Sequence, residues 1–303
     1  MSLSAIAPRV SVVIPAYKSQ ETLAVCLNTL KAQTFTDYEA ILVDSSPNGG
    51  VRELVKHEFP WVRVEHSPLR LLPHAARNRG VELSHGRLLV FTDPDVIFPP
   101  TWLARLVATH EATGLAVIGS VTCDGSRWLD LGTHFCKFDI WLPGGRGRRI
   151  NLGPSVNMLI PRDWYDEVGG FRPDIMLGDA VFCWQLERAG RSLWFEPQAM
   201  LVHHYHAAWR ELVRERFARG REFSEERRRW EAWSRRRTLF AAAISLLPLR
   251  LVNFVARAGA NALRAGMFTK YLVTMPVIVV GTCAWLAGEL QTFARVLVGR
   301  ARA

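Results

Sequence analysis

The chain has 303 residues, 49% of them apolar, and a net charge of +10 at pH 7. That length holds one large α/β domain with an appendage, or two ordinary domains, around a sizeable core. The basic excess suits phosphate-bearing ligands, nucleic acid or an anionic membrane face. The five cysteines are scattered, odd in number and without a CxxC pair, which excludes a zinc site and indicates free thiols in a reducing compartment.

The first fifteen residues, MSLSAIAPRVSVVIP, lack a basic segment followed by a long apolar one. This predicts no cleaved signal and a cytoplasmic catalytic part. Val10 to Ile14 reads as a buried strand stopped by Pro15. Residues 20 to 33 place Leu23, Leu27 and Leu30 on one helical face. Glu39 to Val43 is a second strand ending in Asp44, followed by the loop SSPNGG. Val51 to Glu58 reads as a helix, Trp61 to Glu65 as a strand, residues 74 to 83 as a helix and Arg87 to Phe91 as a fourth strand. This alternation with short connections predicts a mostly parallel sheet with helices on both faces. Ligands of such sheets bind at the carboxyl ends of the strands. Here those ends carry Pro15-Ala16-Tyr17, Asp44 and Asp93-Pro94-Asp95.

The middle is less regular. Residues 143 to 149 (PGGRGRR) form a glycine-arginine loop, and residues 161 to 171 a short helix ending at Gly169-Gly170. Gly178 to Ala189 reads as a helix and residues 192 to 196 as a strand. The character changes after Trp209. Residues 209 to 237 hold eleven arginines and six glutamates, with apolar residues recurring at helical spacing. That is an arginine-rich amphipathic helix with a break near Gly220, either packed on the core or lying on anionic lipid. Residues 271 to 288 carry no charge over 18 positions, near the minimum for a span. The alternatives are a buried core helix or an oligomer contact. The predicted organisation is a catalytic domain over 1–208, an interfacial helix region over 209–237 and a hydrophobic, membrane-associated tail over 238–303.

Asp93-Pro94-Asp95 is the first chemical signal. Side chains at i and i+2 of an extended backbone point the same way, and Pro94 pushes Asp93 toward extended geometry. Two such carboxylates form a hard-oxygen site for Mg²⁺ or Mn²⁺, which a diphosphate could complete. The bland alternative is a turn, since Asp-Pro starts turns.

Context separates the two. Val12-Val13-Ile14-Pro15-Ala16-Tyr17-Lys18 and Ile41-Leu42-Val43-Asp44-Ser45-Ser46 resemble the nucleotide-sugar half of family-2 glycosyltransferases. Ala76-Arg77-Asn78-Arg79-Gly80 resembles the segment before that family's D-x-D. Val90-Phe91-Thr92-Asp93-Pro94-Asp95 resembles the D-x-D itself, and Pro99-Pro100-Thr101-Trp102-Leu103 the segment after it. Val168-Gly169-Gly170-Phe171 is similar to the family's GGF. The helix opening at Gly178-Asp179 is similar to its ED…L helix. The resemblance covers about residues 8 to 225.

It implies a GT-A fold and inverting transfer of a sugar from a nucleotide-diphosphate donor to a hydroxyl acceptor; membrane association points to a glycan or lipid-linked acceptor. It implies that Pro15, Ala16, Tyr17, Asp44, Ser46, Arg77 and Asp93 line the nucleotide-sugar pocket. Asp93 and Asp95 would hold Mg²⁺ or Mn²⁺. A histidine of His203-His204-Tyr205-His206 often completes that site, with His204 the first choice and His206 the second. Asp179 would be the general base; its bland reading is a helix cap. Arg77 has a surface salt bridge as its alternative.

Three positions depart from the family. Gly178 replaces the usual acidic residue before Asp179, Lys18 a frequent asparagine, and Asn48 a frequent aspartate. Glu226-Arg227-Arg228-Arg229-Trp230 resembles Q-x-x-R-W of processive synthases, with glutamate for glutamine. The predicted setting is the cytoplasmic face of the cell membrane, on an anionic lipid surface, with an oligomer contact through the C-terminal helices also open. Two other readings compete: a nucleotide-sugar-binding module without turnover, which Gly178 allows, and a nucleic-acid binder, suggested by charge alone. No zinc-finger, RNP or helix-turn-helix pattern supports the last, so no nucleic-acid partner is expected.

Overall fold

Val10–Ala16 forms β1, and all seven of its residues are buried. A β-branched run covered on both faces of a sheet behaves this way. The computed structural model describes residues 7–125, 127–204 and 206–299. Tyr205 and Arg300, within stretches read above, lie outside the described residues. The chain divides into two compact units, one of Met1–Thr122 and Gly145–His204, the other of Cys123–Gly144 and Tyr205–Ala303.

In the first unit β1 is followed by α1 (Gln20–Lys31), β2 (Tyr38–Asp44), α2 (Gly50–Glu58), β3 (Val62–His66), α3 (Pro73–Glu82), β4 (Leu88–Phe91), β5 (Val96–Ile97), α4 (Trp102–Thr113) and β6 (Ala116–Cys123). The second unit takes α5 (Trp128–Phe138). The chain then forms β7 (Arg148–Ile150), β8 (Met158–Pro161), α6 (Arg162–Val168), α7 (Gly178–Arg188) and β9 (Leu193–His203). α8 (Trp209–Trp230), α9 (Arg235–Leu246), α10 (Pro248–Arg264) and α11 (Phe268–Leu297) complete the second unit.

The sheet order is β3-β2-β1-β4-β8-β6-β9-β5, with β7 on β9. The first four strands pair in parallel, as their alternation with helices requires. Beyond β4 the pairing reverses. β8 runs antiparallel to β4 and β6, and β9 antiparallel to β5 and β7. The stretch of weak periodicity thus supplies the antiparallel half of a mixed sheet. β9 runs on to His203, well past the predicted end at residue 196, and alternates in burial along most of its length.

In the second unit α11 is the central helix, touched by α5, α8, α9 and α10. Close approach is made by glycine. A Cβ on Gly220 of α8 would lie 2.1 Å from the Trp285 carbonyl oxygen, and one on Gly288 of α11 equally close to the Phe217 carbonyl oxygen. Gly220 therefore does not break its helix; it lets α8 press against α11. The helix ends at Trp230 instead, and α9 starts at Arg235. The Glu226–Trp230 stretch is its last turn, where Arg229 bridges Glu225 and Glu226. All five cysteines are free thiols, four buried and Cys283 exposed.

Candidate active site

Parallel strands that end together bring the residues after them to one edge of the sheet. Ala16 pairs with Asp44, and the Ser45 N–H donates to the Ala16 carbonyl at 2.9 Å. The Asp44 carboxylate is fully buried. Its Oδ1 accepts from the Ser46 N–H at 2.8 Å, and its Oδ2 from the Arg52 N–H at 3.3 Å. His66 Nδ1 lies 3.2 Å from the same Oδ2. Asp44 thus organises the turn from β2 into α2. Ser46 Oγ accepts from the Lys18 N–H at 2.8 Å, tying the first strand end to the second. Lys18 takes a left-handed φ of 53°. Asparagine tolerates that conformation better than lysine, which accounts for the family's frequent asparagine there. Pro15 is buried within β1. Tyr17 is half-buried, and the Arg70 guanidinium sits over its ring, 4.5 Å from the centroid.

At the third strand end, β4 and Thr92 are fully covered and the chain emerges at the aspartates. The Asp93 side chain is 27% exposed and that of Asp95 35%. Pro94 and Asp95 form a turn before β5, so the carboxylates do not meet by simple strand alternation. β5 pairs antiparallel with β9, placing Val96 opposite His203, and the His204 N–H donates to the Asp95 carbonyl at 2.8 Å. This register brings His203 Nε2 to 3.7 Å from Asp95 Oδ1. One oxygen from each aspartate and one ring nitrogen of His203 all lie within 4.8 Å of one another.

The histidine in this cluster is therefore His203. His204 and His206 are not members of it; His204 follows the last residue of β9 and meets Asp95 through its backbone. His203 Nδ1 lies 3.1 Å from the His204 carbonyl oxygen. A proton on that nitrogen leaves the Nε2 lone pair toward Asp95, the arrangement a metal-binding imidazole needs. A donor set of two carboxylates and one neutral imidazole fits Mn²⁺ or Mg²⁺. Cys26 approaches the same turn, its Sγ 3.5 Å from the Asp93 carbonyl oxygen. Burial, and secondarily the Asp95 charge, push its thiol far above the ordinary range, so it remains a neutral neighbour.

α3 braces the site from below. Arg77 is buried, and its Nη2 forms an ion pair with Asp93 Oδ1, so this is not a surface salt bridge. One residue on, Asn78 donates to the Phe171 carbonyl at 2.8 Å and accepts from the Phe171 N–H at 3.1 Å and the Tyr165 hydroxyl at 2.6 Å. His74, buried in the first turn, places Nε2 3.3 Å from the Met176 carbonyl oxygen and stacks obliquely on Phe171. One helix thus holds both Asp93 and the segment leading to Asp179.

Asp179 lies in the first turn of α7, whose N-cap is Leu177. Its Oδ1 accepts from the Ala180 N–H at 2.9 Å and its Oδ2 from the Ser155 N–H at 3.4 Å. The carboxylate satisfies helix-end donors and remains partly exposed. Gly178 is buried against the His74 ring and the Arg172 carbonyl. His203, His74 and the bracing role of Asn78 escaped the sequence reading; of these only His203 had a sequence signal, the alternate apolar positions Leu193, Phe195, Ala199 and Leu201, with which it is in phase.

The mixed sheet, parallel from β3 to β4 and antiparallel beyond, with helices around it, is the GT-A fold. Residues 11–162 match the family model "Glycosyl transferase family 2", and the chain belongs to that family. It is 26% identical over 297 residues to the glycosyltransferase AglE of Haloferax volcanii, spanning 92% of this chain and 93% of that one. It is 33% identical over 122 residues to an undecaprenyl-phosphate 4-deoxy-4-formamido-L-arabinose transferase of Aeromonas hydrophila, 37% of this chain and 36% of that one. Among solved structures it resembles the mannosyltransferase PcManGT of Pyrobaculum calidifontis, determined with GDP-Man and Mn²⁺, with a TM-score of 0.62 and 18% identity over 98% of this chain and 89% of that one. This last likeness bears on the fold.

Proposed function

We propose that this glycosyltransferase moves a sugar from a nucleotide-diphosphate donor to a hydroxyl of a glycan or lipid-linked acceptor, with inversion and with Mn²⁺ or Mg²⁺ bound. The observation that carries the reading is the convergence of Asp93, Asp95 and His203 within 4.8 Å. These three residues would hold the cation, which when bound offsets charge building on the leaving diphosphate. Arg77 holds Asp93 in place. Pro15, Ala16, Tyr17 and Ser46 line the nucleotide edge, and Asp44 keeps its turn in shape. Asp179 takes the acceptor hydroxyl proton as that oxygen bonds to the anomeric carbon and the sugar–diphosphate bond breaks. One displacement inverts the anomeric centre. The undecaprenyl-phosphate relative supports the lipid-linked alternative for the acceptor, and we take the cytoplasmic face of a membrane as the enzyme's setting.

A nucleotide-sugar-binding module without turnover is the reading that Gly178 favours, because no second carboxylate stands beside Asp179. Nucleotide release from a panel of UDP-, GDP- and dTDP-sugars, with and without Mn²⁺ or Mg²⁺, separates the two. The transferase reading expects cation-dependent release from one donor, lost in Asp95→Asn and Asp179→Asn. Full activity in both variants would sink the residue roles, and donor binding without release would favour the module.

A further inference from the structure

Twelve of the nineteen exposed large apolar side chains among the described residues lie between Leu239 and Val280. Such concentration on one segment marks an interaction surface. On α10 the exposed positions 249, 252, 256, 260 and 263 are Leu, Val, Ala, Ala and Leu, one stripe at helical spacing. Phe240 and Leu246 of α9 and Val273 of α11 add to it. The charge around the stripe has one sign. Residues 232 to 288 contain seven arginines and lysines and no acidic residue. Arg237, Arg250 and Arg257 pair with Glu231, Glu289 and Asp139, which leaves Arg235, Arg236, Arg264 and Lys270 as net basic charge beside the stripe. An apolar stripe flanked by such charge complements an anionic lipid surface.

Two observations argue against a span. α9 and α10, apolar enough together to cross a bilayer, meet at a 70° bend. α11 is long enough alone, at about 45 Å, but half of its most apolar window is covered by protein. Part of that cover is α8, which carries eight arginines and five glutamates in 22 residues and presses on α11 at Gly220 and Gly288. Drawing α11 across the hydrocarbon would take those charges with it, against the large desolvation penalty of each ion. Glu289 of α11, buried in an ion pair with Arg250, makes the same point.

We infer that α9, α10 and the exposed stripe of α11 lie in the plane of an anionic bilayer surface, and that α11 is the core helix of its unit rather than a span. The inference rests on the membrane named above as the enzyme's setting, but not on sugar transfer.

Cys283, exposed and midway along α11, provides the test. The full chain is labelled there with a fluorophore and mixed with phosphatidylcholine vesicles, with or without phosphatidylglycerol. Lipids spin-labelled near the headgroup or at the chain end then serve as quenchers. An in-plane helix puts the label about 5–10 Å deep; a span puts it about 15 Å deep, at the bilayer centre. The expected result is roughly tenfold tighter binding to the anionic vesicles, weakened by salt, with stronger quenching from the headgroup label. Leu246→Asp/Leu249→Asp should cut binding by about tenfold or more and leave nucleotide release unchanged. Stronger quenching from the chain end would overturn the in-plane placement. So would equal vesicle binding by the double variant. A concentration-dependent dimer that the double variant breaks, without vesicle binding, would assign the face to a second copy. Vesicle binding without release from any donor would count against the transferase reading alone.

Discussion

A Cβ on residue 178 would lie 2.7 Å from Cδ2 of His74 and 2.9 Å from the Arg172 carbonyl oxygen. The imidazole and a backbone carbonyl occupy the space a side chain would need. An acidic side chain at residue 178 would therefore clash in this fold. Gly178→Ala should destabilise the protein by about 1–3 kcal/mol, read as a lower urea midpoint at unchanged slope. Combined with His74→Ala, part of that loss should return; strict additivity would mean the two positions do not share the space.

The proposed cation site should discriminate between neighbouring histidines. Mn²⁺ should raise the thermal midpoint of the wild type, by about 2.7 kcal/mol of stability at a hundredfold excess over Kd. Asp95→Asn and His203→Ala should abolish the rise, and His204→Ala should retain it. The opposite pattern for the two histidines, seen by calorimetric titration, would return the ligand to His204.

Asn78 joins α3 to Phe171 and Tyr165 through three hydrogen bonds. Asn78→Ala leaves those groups without their partner and should cost about 2 kcal/mol. Because Phe171 lies on the approach to Asp179, turnover should fall more than donor affinity. Equal loss of both would assign Asn78 a general structural role.

Lys18 sits at φ 53° with its N–H committed to Ser46. Lys18→Asn keeps the N–H and relieves the left-handed backbone, so stability should rise by up to about 1 kcal/mol. A thermal midpoint at or below that of the wild type would refute this.

Glu39 gives the acid limb of stability a named contributor. Burial works to raise its pKa, but the His85 N–H, the Ser11 hydroxyl and the His85 ring together hold it below the ordinary 4.5. A depressed folded pKa means the contribution is complete above that value and is lost as pH falls through the folded one. Glu39→Gln should therefore flatten the stability profile below about pH 5 while lowering the plateau. An unchanged acid limb in urea denaturation would exclude the role.

Much of the architecture was legible because burial leaves a local record. β2 and β4 are short β-branched or aliphatic runs closed by aspartate or threonine, β1 is another that runs through Pro15 to Ala16 rather than stopping there, and α1 repeats leucine at helical spacing. Strand ends in a parallel sheet meet at one edge, so Asp44 and Asp93 could be grouped before any coordinates. Gly220 misled, since glycine weakens an isolated helix yet here serves a close helix contact. The two halves of the sheet also differ in legibility. Parallel strands alternate with helices in sequence, whereas β6, β8 and β9 are brought together by long connections that leave no periodic trace.

By itself, then, the sequence determined the alternating α/β order, the family and the carboxylates of the turn, all features written in neighbouring residues. Only the tertiary structure decided which histidine joins Asp93 and Asp95, because one residue of β5–β9 register exchanges His203 for His204. It alone showed that residue 178 has no room for a side chain, since His74 comes from a helix about a hundred residues away. And it alone showed α11 packed beneath α8, which depends on glycine contacts between helices that hydropathy along the chain cannot register.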